Sequence, residues 1–111
     1  MSAQGSKSAR VKDRPNRLVI KLGTNLLTSG RETLDIEVMT DLVAQMAALV
    51  NDGYEILVVT SGAVAGGRRV VTRRPGTAHP GSGDVPGRQV LAALGMPELM
   101  RTYDELFSKH D

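Results

Sequence analysis

The 111-residue chain contains no cysteine and no tryptophan. The first absence excludes a disulfide framework, a thiolate nucleophile and any zinc site built on thiolates. Aromatic residues make up 3% of the sequence, so a core must be assembled from Leu, Val, Ile, Met and Ala. Tyr54, Tyr103 and Phe107 are the whole aromatic set. They provide no stacking platform for single-stranded nucleic acid. The two histidines, His79 and His110, are too few for a His-ligated centre, and no metal ligand is assigned. No apolar run approaches the roughly 18 residues of a membrane span, so a membrane-embedded class is excluded. The first residues lack the apolar stretch of a secretory signal, and a cytoplasmic location is expected.

What is present has globular composition, 41% hydrophobic and 23% charged. The length suits one small domain. Twelve glycines and five prolines give loops a large share. The net charge of +2 conceals blocks. Residues 1–17 carry five basic side chains against Asp13, and residues 68–88 carry five arginines against Asp84. Between them, Lys21 and Arg31 face six acids. The basic blocks fall in loop-like segments and not along an ordered helix, so the charge does not point to a nucleic-acid partner. Residues 1–16 lack hydrophobic periodicity and mix Ser, Gly, Lys and Arg, which predicts a disordered basic tail. The folded part is expected over residues 17–111.

Leu18–Leu22 is a short β-branched apolar run ended by Gly23, and reads as a strand. Gly23-Thr24-Asn25 turns the chain, and 26–33 reads as a loop or short helical turn. Met39, Leu42, Val43, Met46, Ala47 and Val50 fall on one helical stripe, which predicts a helix over Asp35–Asp52. Asp35 suits its N-cap and Gly53 its left-handed stop. Glu55–Thr60 reads as a second strand, with four consecutive apolar residues of the kind a parallel sheet covers on both faces. Strand, helix, strand at this spacing is a βαβ unit. A helix is expected from about Gly62 to Val71, then a loop over Thr72–Pro86. Two further short helices are expected, Gly87–Leu94 closed by Gly95, and Glu98–Lys109.

Ligands in open α/β sheets bind beyond the carboxyl ends of parallel strands. Lys21 to Asn25 leave the first strand and Thr60 to Ala63 the second, so both loops should face one ligand. Each carries the chemistry of a phosphate site: glycines that let backbone N–H groups approach an anion, a helix N-terminus after Ser61, and the point charge of Lys21. Neither the Walker nor the dinucleotide fingerprint is present. Taken singly, these residues have blander readings. Lys21 reads as a snorkelling surface residue, Ser61 as an N-cap, Gly66-Gly67 as a loose helix end, and Arg68, Arg69, Arg73 and Arg74 as a solvated face.

Taken together, Val19-Ile20-Lys21-Leu22-Gly23-Thr24-Asn25-Leu26-Leu27-Thr28, the amphipathic helix, and Val58-Val59-Thr60-Ser61-Gly62-Ala63-Val64-Ala65-Gly66-Gly67 resemble the N-terminal portion of the glutamate 5-kinases, in the amino-acid kinase superfamily. Gln89 to Gly95 and Glu105-Leu106-Phe107 resemble segments just beyond, so the resemblance covers about residues 17–111. Met96 stands where that family usually has glutamine. The resemblance implies a partial α/β three-layer sandwich, with parallel strands flanked by helices. It implies ATP-dependent phosphorylation of the γ-carboxylate of L-glutamate, with Mg²⁺, at the start of proline biosynthesis. By position it implies Lys21 on the ATP phosphates as the catalytic cation. Gly23 and Thr24 line the cofactor side, and Ser61, Gly62 and Ala63 the glutamate side. It also implies that the substrate-binding aspartate and asparagine and the adenine site lie in a further C-terminal portion. This chain then reads as an N-terminal piece that is inactive alone, completed by that portion or assembled with further copies. The alternatives are another amino-acid kinase, or a non-catalytic α/β module that binds a partner through its unfinished sheet.

Overall fold

Strand β1 (Arg17–Leu22) and strand β2 (Glu55–Thr60) pair in parallel, in register from Arg17 opposite Glu55 to Leu22 opposite Thr60, in a computed structural model that describes residues 16–73 and 85–110. Helix α1 (Thr24–Thr28) follows β1, and α2 (Ile36–Asn51) makes the crossover to β2. Helix α3 (Ala63–Thr72) leaves β2, and α4 (Val85–Ser108) closes the chain. The architecture is therefore α/β, a two-stranded parallel sheet flanked by helices, as expected from the sequence. The expectation of a disordered tail lies outside the described residues except at Asn16. There the carbonyl accepts the Glu55 N–H at 2.7 Å, so the ordered chain includes that residue. Most of the expected Thr72–Pro86 loop also lies outside them. Its ends are helical, Thr72 closing α3 and Val85-Pro86 opening α4.

Strand alternation sorts the side chains. Leu18, Ile20 and Leu22 share one face with Ile56, Val58 and Thr60, and that face meets α2 and α4. Helix α2 contributes Met39, Val43 and Met46, all buried, and α4 contributes Leu99, Tyr103 and Leu106. Asp35 caps α2 by accepting the Val38 N–H at 3.2 Å, and Ser29 and Arg31 donate to the same carboxylate. Those hydrogen bonds, with the Arg31 charge, hold its pKa below the usual carboxylate value. Gly53, at φ +99°, ends the helix turn as its sequence position predicts. The other sheet face carries Arg17, Val19 and Lys21 opposite Glu55, Leu57 and Val59. Val19 and Leu57 are 65% and 62% exposed. Among the described residues only one face of β2 is covered, not the two its apolar run suggested.

The largest departure concerns the C-terminal third. The two short helices expected on either side of Gly95 are one continuous helix, α4, with Pro97 inside it. Proline removes a helical N–H and normally costs about 3 kcal/mol in a helix interior. Leu91 before it and Leu99, Tyr103 and Leu106 after it are all buried, so continuing the helix buries both halves. Tertiary packing outranks the local breaker.

The crossing of α3 and α4 explains the glycines. A Cβ on Gly66 would lie 2.8 Å from the Gly95 carbonyl oxygen. One on Gly67 would overlap the Leu91 carbonyl, and one on Gly95 would overlap the Ala63 carbonyl. Gly66-Gly67 is therefore a seam where two backbones touch, not the loose helix end its composition suggested. Beside the seam, Glu98 is buried to 5% side-chain exposure and holds three arginines. Arg69 Nε lies 3.2 Å away, Arg73 at 2.8 Å and Arg101 at 2.9 Å. Arg101 also pairs with Glu105. The arginines of this segment were expected to form a solvated face; Arg69 and Arg73 instead clasp α4 to α3.

Two outcomes follow for stability. Gly67→Ala should destabilise by about 1–3 kcal/mol through overpacking, despite the roughly 0.8–1 kcal/mol that alanine gains in helix propensity. Urea denaturation checks this, and a net stabilisation would mean the helices do not touch at this point. For Glu98, burial raises the pKa, but hydrogen bonds from Arg101 and Arg73 and their charges outweigh it, and the net shift is downward. A carboxylate with a lowered folded pKa contributes stability above its ordinary value of 4.5 and loses it as pH falls below that. Glu98→Gln should therefore lower the melting temperature at pH 7 and flatten its decline between about pH 5 and 3.

Candidate functional site

Because β1 and β2 are parallel and in register, both leave the sheet at the same edge. The Ser61 N–H donates to the Leu22 carbonyl at 2.8 Å, which ties the end of β2 to the end of β1. Gly62 then turns the chain at φ +113°, a conformation open to glycine and strained for other residues. A Cβ there would also press on Leu27 Cδ1 at 3.2 Å. Gly62 is the N-cap of α3, with no side-chain capping bond. The reading of Ser61 as a helix cap thus does not hold, and its hydroxyl stays exposed at the strand end. The Gly66 N–H bonds the Gly62 carbonyl at 2.8 Å. The N–H groups of Ala63, Val64 and Ala65 precede it and have no helical acceptor.

Thr60 secures this turn from below. Its hydroxyl donates to the Ser61 carbonyl at 2.8 Å and lies 2.7 Å from the Tyr103 hydroxyl. A threonine has one proton to give, so Tyr103 is the donor in the second bond. Burial pushes the Tyr103 phenol above its ordinary value of 10.0, which keeps it protonated and able to donate. A residue of α4 thereby fixes the backbone that presents Ser61.

The result is a cleft of about 300 Å³. Thr24 from α1 lines one side, and Ser61, Gly62 and Ala63 line the start of α3. Arg68 and Arg88 add two cations, and Met96 and Leu99 an apolar wall. The structure brings together four of the sequence-predicted site residues: Thr24, Ser61, Gly62 and Ala63. Lys21 and Gly23 are not among the lining residues. Lys21 stands exposed on the open sheet face opposite Val59. Gly23 caps α1 at φ −82°, and a Cβ there would meet nothing within 4 Å. The fold does not require glycine at that position, and the space before it is open. Arg68, Arg88, Thr60 and Tyr103 were not assigned to the site from sequence. Arg68 lies within reach of the Ser-Gly turn along its own helix. The other helix brings Arg88 and Tyr103, and no local signal marks that.

Among the described residues no group of three His, Cys, Asp or Glu side chains could hold a metal ion. No helix among them is long and apolar enough to cross a membrane. Residues 16–111 match the amino acid kinase family. Proteins named glutamate 5-kinase from two strains of Dehalococcoides mccartyi are 51% and 52% identical over 94 residues, covering 85% of this chain and 24% of each relative. One from Chlorobaculum tepidum is 44% identical over 94 residues, covering 85% of this chain and 25% of the relative. The chain spans about a quarter of the length of the curated relatives it matches.

Tyr103→Phe removes the donor beneath the Ser61 turn. Its expected cost is about 1 kcal/mol, the net contribution of one hydrogen bond. In a ¹⁵N-labelled sample the Ser61 and Gly62 amide resonances should move while those of α2 hold still. Unmoved Ser61 and Gly62 resonances would show that this bond does not hold the strand end.

Proposed function

The chain belongs to the amino acid kinase family, and from that premise we propose that it carries the N-terminal part of a site that phosphorylates the γ-carboxylate of L-glutamate with ATP. The product is glutamyl 5-phosphate, the acid-activating first step of proline biosynthesis. One observation supports this reading above the others. Thr24 from the first strand end and Ser61, Gly62 and Ala63 from the second meet around one cleft, and relatives 51% and 52% identical carry the name glutamate 5-kinase.

In this reading Ser61 and the free N–H groups at the start of α3 bind glutamate and orient its carboxylate. Holding the two reactants in line supplies much of the rate, and offsetting their negative charges supplies much of the rest. Lys21 acts on the ATP phosphates from the edge of β1, with Gly23 and Thr24 beside it. The fit to ATP rests on the exposed Lys21 amine and the open space in front of Gly23. ATP, when bound, supplies the phosphoryl group. Mg²⁺ would come to the site on the ATP phosphates, since among the described residues no group of three His, Cys, Asp or Glu side chains could hold it. The reading places the protein in the cytoplasm, with L-glutamate as substrate. Its macromolecular partner is a C-terminal portion or another copy, and neither a nucleic acid nor a membrane.

The purified chain alone should give no ATP-dependent glutamyl phosphate, trapped as the hydroxamate. Joined to the remaining three quarters of a Dehalococcoides relative, it should turn over. In that enzyme Lys21→Ala should lower kcat by roughly 100-fold or more, because one lost electrostatic donor costs about 2.7–4 kcal/mol. Ser61→Ala should chiefly raise the glutamate KM, by about tenfold for a loss near 1.4 kcal/mol. Unchanged kinetics in both variants, with only the melting temperature lowered, would remove both residues from the site.

A further inference from the structure

The arginines of the described residues divide into two groups. Arg17, Arg31, Arg69, Arg73 and Arg101 each lie within 3.3 Å of a carboxylate. Arg68 and Arg88 have no carboxylate partner among the described residues, and both line the cleft beside Ser61. Arg68 donates only to a neutral acceptor, the Glu32 carbonyl, at 3.4 Å. The two come from different helices, α3 and α4, and the glycine seam fixes their relative position. A neighbouring cleft of about 310 Å³ makes the contrast plain. It is lined by Arg73, Arg101 and Glu98, and its guanidinium groups are already engaged by the buried carboxylate.

Two uncompensated guanidinium groups on one cleft repel each other and raise the local positive potential. The unpaired N–H groups at the start of α3 add to that potential. An anion relieves it, and the planar fork of arginine matches a carboxylate through two parallel hydrogen bonds. The volume limits which anion. About 300 Å³ is at the small end of ligand pockets, with room for an amino acid and not for a nucleoside triphosphate. Met96 and Leu99 give the cleft an apolar wall suited to a methylene chain.

We infer that Arg68 and Arg88 recognise a carboxylate of the amino-acid substrate and so help set specificity for an acidic side chain or backbone carboxylate at this site. This rests on the glutamate reading above. It adds to that reading a cationic wall contributed jointly by α3 and α4. It also separates the duties of the cations, with these two arginines on the acceptor and Lys21 on the phosphoryl donor.

The test uses the 111-residue chain, ¹⁵N-labelled and joined to the remaining three quarters of a Dehalococcoides relative, titrated at constant ionic strength with L-glutamate and, separately, with inorganic phosphate. L-Glutamate should shift the amides of Ser61 to Val64. Arg68→Gln and Arg88→Gln should each weaken that binding about tenfold or more, as expected for a lost charge-assisted hydrogen bond. Arg88→Lys should recover part of the loss, and Arg17→Gln, at the end of β1 opposite to the cleft, should change nothing. The spectra of the variants report their folding, and Arg88→Lys keeps the question answerable if Arg88→Gln perturbs α4. Glutamate binding that both glutamine variants leave intact would overturn the inference while the glutamate reading stood. Loss of phosphate binding alone in those variants would move the arginines to the donor side and overturn it too. If glutamate shifts none of these amides, the glutamate reading fails and this inference with it.

Discussion

The helical wall of the cleft and the core beneath it depend on two helices touching backbone to backbone. Gly66, Gly67 and Gly95 leave no side chain between α3 and α4, and any added Cβ meets a main-chain atom. At that separation Leu99, Tyr103 and Leu106 reach the core shared with the sheet and α2. The same approach lets Glu98 reach across to Arg69 and Arg73, and brings Arg88 to the turn that carries Ser61. A larger residue in the seam would move all of these together, because rigid helices transmit a displacement along their length.

The parts of the fold legible in the sequence were those that local chemistry determines. The α2 stripe, its Asp35 cap and its Gly53 stop obey rules that act within one or two turns. The β-branched runs before Gly23 and Ser61 are equally local. In the C-terminal third both helical stretches were legible but their continuity was not, because Gly95 and Pro97 are breakers by local rules and helix-interior residues by tertiary ones. Gly95 is selected for what it allows to approach, and sequence periodicity carries no record of an approaching partner. Glu98 is similar. On paper it is one acid near a helix start, and only the crossing shows that three arginines converge on it.

The site divides in the same way. Ser61, Gly62 and Ala63 were legible because a strand end followed by Ser-Gly is a local signature, and parallel pairing brings Thr24 beside them. Arg68 and Arg88 are separated by nineteen intervening positions that include the whole 74–84 segment, so their convergence on one cleft is a property of the helix pair. Tyr103 is further still from Thr60 in sequence, yet its hydroxyl proton settles which way the hydrogen bonds run beneath the turn. Lys21 was legible as a cation at a strand end. Its face of the sheet follows from alternation, which places it with Val19 and not with Leu22.

That outward face has a thermodynamic meaning of its own. Val19, Leu57 and Val59 expose apolar surface on two adjacent strands. Any group that covers this surface in the folded state and not in the unfolded one raises stability by RT ln(1 + [L]/Kd). With such a group present, the melting temperature of this chain would not be a single number. It would be a function of what shares the solution and at what concentration, and a dilution series would read it as directly as a temperature ramp.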